Sequence, residues 1–109
     1  MKLAKVTHHL AQKRKDPYFK ELYQVEQQKL AIVKRIIAYR IKNKLSQKQL
    51  AQKAAVTQQH ISKIENGEFS SVVTLEKIML LIGYTVRLKA VPLSRRQFRR
   101  IEKKLRRAA

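Results

Sequence analysis

Two short segments with helix-start signals lie next to each other between Ser46 and Gly67, and their spacing restricts how the chain can fold. Ser46 with Gln49 three residues later forms a capping box, and Thr57 is an N-cap for the second segment. Gly67 supplies a C-terminal stop. The turn between them, residues 54–56, is too short for the two helices to lie antiparallel. We therefore predict two short helices that cross at a steep angle.

A steeply crossed pair of this kind is a helix-turn-helix, and its side chains divide into an apolar and a polar set. The apolar set can point into one core and comprises Leu50, Ala51, Val56, Ile61 and Ile64. The polar set faces outward from the second helix and comprises Gln58, Gln59, Ser62 and Lys63. Glutamine can donate to and accept from an adenine edge at once, and lysine suits guanine acceptors or a phosphate. We predict that these four residues contact DNA bases.

The stretches LSQKQLAQK and TQQ-x-I-x-x-IENG resemble the lambdoid phage repressor and Cro family, also called the Xre family. The similarity covers roughly residues 30–83. It implies that Gln58, Gln59 and Lys63 face base edges. It implies further that Gln47 contacts a phosphate and supports the reading helix, and that Arg40 and Glu65 form an ion pair. The phosphate contacts expected on this domain are Gln47, Lys48, His60 and Asn66.

One position departs from the family pattern. The turn usually has glycine where Ala55 stands, since that residue often needs a positive φ. Either alanine adopts this conformation at a cost of about 1 kcal/mol, or the turn has adjusted.

Helical patterns on both sides of the motif predict a mainly α fold of four to five helices. Asp16 and Pro17 are a helix-start signal, followed by apolar residues at helical spacing up to Lys44, with a plausible break at residues 25–28. These apolar residues are Leu22, Val25, Leu30, Val33, Ile36, Ile37 and Ile41. Thr74 is the expected N-cap of a fourth helix that ends at Gly83. Ser94 and Gln97 form a capping box for a final basic helix through Arg107, whose apolar side is Phe98, Ile101 and Leu105.

After Gly83 the period changes to two, which predicts a β-strand over residues 84–92. A single strand needs a partner for its backbone groups. We therefore expect Tyr84, Val86 and Leu88 to pair with a second copy, giving a homodimer that reads a palindromic operator. The alternative is an arm folded back on its own domain. The predicted organisation is a basic helical arm (1–29), a DNA-binding domain (30–83), a dimerising strand (84–92) and a basic helix or tail (93–109).

The formal net charge is +19, which favours polyanionic partners, nucleic acid first. Residues 46–93 contribute only +3 of this charge, whereas residues 1–45 contribute +9 and residues 94–109 contribute +7. The terminal helix is expected to contact DNA phosphates through Arg95, Arg96, Arg99 and Arg100. It could instead be a solvated tail, and a basic amphipathic helix can also lie on an anionic membrane.

The regions around the motif resemble HigA-type antitoxins, through residues 16–19, Leu22-Tyr23 and the tail LIGYTVRLKAVP. This resemblance implies a partner, a RelE/HigB-like ribonuclease toxin, and repression of the protein's own operon. Such toxins are usually basic, so a contact with this +19 chain would have to be local. The other hypothesis is a repressor that acts without a toxin.

The composition argues against several other classes. There is no cysteine, and the three histidines, His8, His9 and His60, have no metal-site spacing, so no metal or cofactor is expected. The two glycines form no phosphate-binding loop, and no carboxylate pair suggests acid–base chemistry, so an enzyme is not expected. No apolar run spans a membrane and no signal peptide is evident. We expect a cytoplasmic, nucleoid-associated protein encoded by a bacterium or phage.

Overall fold

The computed structural model describes residues 16–108, which contain five α-helices. They are α1 (Pro17–Lys42), α2 (Gln47–Ala54), α3 (Gln58–Glu65), α4 (Val72–Leu81) and α5 (Arg95–Ala108). The predicted mainly α class is confirmed. Part of the predicted N-terminal arm, including His8 and His9, lies outside the described residues. The chain divides into two compact units, one of residues 28–88 and one that contains residues 16–27 and 89–108.

The helix starts follow the capping residues that the sequence indicates. At α1 the Asp16 carboxylate accepts a hydrogen bond from the backbone N–H of Tyr18 at 3.0 Å. At α2 both halves of the capping box form, since Ser46 Oγ accepts from Gln49 N–H and Gln49 Oε1 accepts from Ser46 N–H. At α3 the Thr57 hydroxyl accepts from His60 N–H. These predicted starts are confirmed because each cap satisfies backbone donors that a first helical turn leaves unpaired.

Two expectations about the helices were wrong, one about where α4 begins and one about a break within α1. The N-cap of α4 is Ser71, whose hydroxyl accepts from Thr74 N–H, so Thr74 lies inside the first turn. Both residues are of a capping type, and the earlier one adds Val72 and Val73 to the helix. The second concerns α1, which continues without a break through residues 25–28.

The core of the 28–88 unit is assembled from four helices. It contains Ile36, Leu50, Ala51, Ala54, Ile61, Ile64, Leu75, Ile78 and Met79. Not every apolar residue of α1 is used, because Leu22, Val25, Leu30 and Ile41 remain about half exposed or more. Helix α3, which carries the predicted base contacts, is therefore held by packing against a shared core.

The predicted β-strand over residues 84–92 is absent from the structure. Alternation suggested that Tyr84, Val86 and Leu88 share a buried face, but only Val86 packs on the core while Tyr84 and Leu88 are exposed. The chain instead returns to α4, where the Glu76 carboxylate accepts from Val86 N–H at 3.0 Å and from the Thr85 hydroxyl. The Glu76 carboxylate thus accepts the hydrogen bond from Val86 N–H that a neighbouring strand would otherwise have accepted.

Candidate nucleic-acid interface

Helix α3 is fixed on one side by Ile61 and Ile64, which are 0% and 4% exposed. The opposite side is defined by the spacing i, i+3, i+4, i+7 and consists of Gln59, Ser62, Lys63 and Asn66. Of the predicted base contacts, Gln58, Gln59 and Lys63 are exposed, whereas Ser62 is half-buried. Asn66, expected to contact a phosphate, is exposed at the end of α3 and shares the face of Gln59. The structure therefore brings glutamine, lysine and asparagine side chains together on one accessible helix surface.

The turn between α2 and α3 contains a strained alanine. Ala55 lies in the left-handed region, with φ 57° and ψ 44°, where an L-residue other than glycine costs about 1–2 kcal/mol. Its N–H donates to Gln52 O at 3.3 Å, and Val56 N–H donates to Ala51 O at 3.0 Å. The first of the two expected alternatives therefore holds: Ala55 adopts the left-handed conformation that glycine usually adopts at this position, and the turn has not adjusted to avoid it.

The C-terminal end of α3 is tied to α1 and α2 through Glu65. The Arg40 guanidinium donates from Nε to Glu65 Oε2 at 2.9 Å and from Nη2 to Oε1 at 3.0 Å. A third donor, Arg40 Nη1, reaches the Leu45 carbonyl at 3.3 Å. The side chains of Arg40 and Glu65 are 22% and 7% exposed. Such two-point contacts are among the strongest charge-assisted hydrogen bonds, and this one sets the position of α3.

Gln47, at the first position of α2, also contacts Glu65. Its Nε2 donates to Glu65 Oε1 at 3.3 Å. An amide nitrogen carries two hydrogens, so this bond leaves one donor of Gln47 available for a ligand. Gln47 was expected to support α3 and to contact a phosphate. The bond to Glu65 accounts for the support, and the phosphate contact remains a prediction.

His60 and Lys48 lie beside this surface. The ring Nδ1 of His60 is 3.0 Å from Thr57 Oγ1, which already accepts from the His60 backbone N–H. When the hydroxyl donates to Nδ1, the ring proton is on Nε2, where it can donate to a phosphate oxygen. Lys48 is exposed in the first turn of α2.

The remaining predicted phosphate contacts belong to the other compact unit. All four are exposed on α5: Arg95, Arg96, Arg99 and Arg100. Sequence reasoning missed that this helix is fastened within its own unit, by an ion pair of 2.9 Å between Lys104 Nζ and Asp16 Oδ2. No local pattern could have paired two residues from opposite ends of the chain.

Sequence reasoning also missed a contact of Tyr84. The Arg35 guanidinium lies 4.7 Å from the centre of the Tyr84 ring, and its Nη1 donates to the Tyr84 hydroxyl at 2.8 Å. This cation–π contact, with the Glu76 hydrogen bonds, fastens residues 84–86 to the rest of the 28–88 unit.

In the described part of the chain, no helix is both long enough and apolar enough to cross a membrane.

Residues 36–88 match the model of a protein family described as helix-turn-helix. The matched segment covers α2, α3, α4 and the end of α1, including the Arg40–Glu65 pair. Neither the curated proteins nor the solved structures gave a significant match to this chain.

Proposed function

We propose that the protein is a transcriptional repressor that binds DNA sequence-specifically through residues 36–88, the segment that matches the helix-turn-helix family model and resembles the Xre/Cro family. The observation that carries the proposal is the exposed polar surface of α3, held in place by the Arg40–Glu65 ion pair. In this motif the second helix enters the major groove and its N-terminal residues reach base edges.

The base contacts in this proposal are Gln58, Gln59, Ser62 and Lys63. A glutamine amide can form two hydrogen bonds with adenine, and lysine can donate to the guanine O6 and N7 acceptors. The half-burial of Ser62 gives it a shorter reach than its neighbours, so we assign it a contact only with a base that approaches α3 closely. Specificity therefore rests mainly on Gln58, Gln59 and Lys63.

Phosphate contacts on this domain are assigned to Gln47, Lys48, His60 and Asn66. Such contacts fix the orientation of the domain on the duplex and carry no sequence information of their own. Gln47 is suited to this role because the carboxylate of Glu65 holds its amide while one N–H stays available. These residues would orient α3 so that its glutamines meet the bases.

The test uses the double variant Q58A/Q59A on an operator isolated by selection from random duplexes. We expect a loss of about 1–3 kcal/mol for each base contact on the operator and little change on random DNA. The matched control is Q27A/Q28A, which removes two exposed glutamines from α1. Equal losses on operator and random DNA would contradict base reading.

We also propose that the protein binds its operator as a homodimer. A two-fold axis lets two α3 helices read half-sites one helical turn apart. Leu88, which is 71% exposed, is an apolar side chain of the predicted dimer segment that a second copy could cover. Light scattering at tens of micromolar distinguishes the cases, since a monomer in both free and operator-bound protein would refute the dimer.

A second candidate is the antitoxin of a toxin–antitoxin pair, which would repress its own operon while it binds a RelE/HigB-like toxin. The feature that favours it is local charge, because residues 16–27 hold three carboxylates and one lysine in a strongly basic chain. Asp16 of this segment is already paired with Lys104 of α5, so a basic toxin would have to contact the segment on a side away from that helix. Co-purification of a small basic ribonuclease would support this candidate. The absence of a gene for such a ribonuclease next to the gene of this protein would favour the stand-alone repressor.

A further inference from the structure

Helix α5 presents a face of seven cationic side chains, and we propose that this face is a second, sequence-independent DNA-binding site that contacts phosphates of duplex DNA. The face consists of Arg95, Arg96, Arg99, Arg100, Lys103, Arg106 and Arg107. The proposal rests on the proposed function for its ligand, duplex DNA, but uses a different unit of the chain from α3.

The face is continuous on the helix surface. At 3.6 residues per turn its seven members fall within about 140° of the helix circumference. The helix has 14 residues and is therefore about 21 Å long. All seven side chains are exposed. Their spacing places cations along the helix at intervals of about one turn, which suits a row of phosphates.

The opposite side of α5 is anchored, so the cations have a defined direction. Ile101 is 9% exposed and faces away from the cationic arc. At one edge of the arc, Lys104 Nζ pairs with Asp16 Oδ2 at 2.9 Å. The hydrogen bond from Lys104 lowers the pKa of Asp16, so the carboxylate stays charged in more acidic solution than an ordinary aspartate. Asp16 also caps α1, so within this unit one side chain joins α5 to the first turn of α1.

Few carboxylates neutralise this face. Arg106 pairs with Glu102 one turn earlier, and Lys104 pairs with Asp16. No other ion pair to a described carboxylate is made by the remaining cations of α5. Several like charges on adjacent turns repel one another and destabilise the helix. A polyanion that lies along the face removes this repulsion and releases counterions from the DNA.

Duplex DNA is favoured over an anionic membrane as the ligand. An amphipathic helix binds a membrane by burying its apolar side between the lipids. In α5 the central apolar residue, Ile101, is already packed within the protein, and Phe98 and Leu105 are only about half exposed. Little apolar area is left for lipid, whereas the whole cationic face is accessible.

The experiment compares two triple variants of the full chain that have the same net charge. R96Q/R99Q/K103Q neutralises the centre of the face, and K34Q/K53Q/R87Q neutralises three exposed cations elsewhere. Each is titrated with a short random-sequence duplex over a range of salt concentrations. Because each phosphate contact contributes about 0.9 to the slope of log K against log salt, the α5 variant should lower that slope by about 2–3. The control variant should lower it by less than one.

Equal changes in both variants would overturn the site, because the effect would then follow net charge alone. An unchanged slope in the α5 variant would overturn it as well. The site would also be overturned if R96Q/R99Q/K103Q lost binding to vesicles of phosphatidylcholine and phosphatidylserine but bound duplex DNA as well as the unchanged protein does. Q58A/Q59A separates this proposal from base reading: it should leave random-duplex affinity nearly unchanged, whereas the α5 variant should keep the preference for operator over random DNA.

Discussion

Arg40 and Glu65 form a two-point ion pair, with N–O distances of 2.9 and 3.0 Å, that joins the end of α1 to the end of α3. The Glu65 side chain is 7% exposed, so this carboxylate depends on Arg40 and Gln47 for compensation of its charge. The position of α3 is therefore fixed by polar as well as apolar contacts. Both kinds of contact can be tested.

Replacing Arg40 by alanine should lower the free energy of unfolding by about 2–4 kcal/mol, because a mostly buried carboxylate then loses its charged partner. R40K should recover only part of the loss, since lysine cannot reproduce the two-point geometry. Urea unfolding measures both. K42A, an exposed cation of the same helix, serves as the control and should change stability by less than about 0.5 kcal/mol. A loss in R40A no larger than in K42A would contradict a structural role for the pair.

The strained turn predicts a stabilising substitution. A55G relieves a left-handed alanine at a cost in unfolded-state entropy, so the net gain should be about 0.5–1 kcal/mol. Q52G introduces the same residue at an exposed helical position and should instead destabilise by about 1 kcal/mol. Thermal unfolding of the two variants makes the comparison. If both glycines destabilised the protein, Ala55 would not adopt the left-handed conformation in solution.

The contact of Glu76 with the segment after α4 can be followed at one amide. The Val86 N–H donates to Glu76 Oε1 at 3.0 Å, so it should exchange slowly with solvent deuterium. E76A should remove this protection, while E76Q, which keeps an amide oxygen as acceptor, should retain most of it. Protection of Val86 that survives in E76A would argue that this N–H donates to another acceptor, for example on a second copy, and fast exchange in the unchanged protein would contradict the bond to Glu76.

The Asp16–Lys104 pair predicts a pH dependence at the acidic end. The pKa of Asp16 is lowered by the hydrogen bond from Lys104, so folding favours the charged carboxylate. Its contribution to stability is present above the ordinary aspartate pKa of about 4 and is lost as the pH falls through the lowered value. NMR titration of the carboxyl should show the lowered pKa, and K104Q should return it towards normal.

D16N separates the two roles of Asp16. Asparagine caps a helix about as well as aspartate, so α1 should keep its start while the ion pair to Lys104 is lost. Increased exchange in the backbone of α5, with α1 unchanged, is the expected result. Equal loosening of both helices would mean that the cap, and not the ion pair, is the main contribution of Asp16.

Much of the local structure could be predicted from sequence because it depends on neighbours in the chain. Ser46 with Gln49 and Thr57 with His60 are pairs three residues apart, and the capping bonds form as their spacing indicates. The exposure of Gln58, Gln59 and Lys63 follows from the burial of Ile61 and Ile64 on the other side of a 3.6-residue period. Family resemblance placed Arg40 opposite Glu65, which spacing alone could not do.

The segment after α4 was mispredicted because its pattern has more than one physical solution. Alternating residues at 84–90 are compatible with a strand, but whether a strand forms depends on what lies beside it. Here Glu76 supplies an acceptor for Val86, and Arg35 stacks on Tyr84, so the segment is fastened to its own domain. Neither partner is visible from the alternation.

The sequence by itself determined the helix-turn-helix, since caps, apolar spacing and the short turn between Ser46 and Gly67 act over a few residues. Tertiary structure decided how these helices are held in place. Packing of Ile101 directs the cations of α5 outward, and the Arg40–Glu65 pair sets the place of α3. The direction of the α5 cations and the position of α3 depend on contacts between residues far apart in the chain. The energies of these contacts are set by burial and charge and not by local conformational preference.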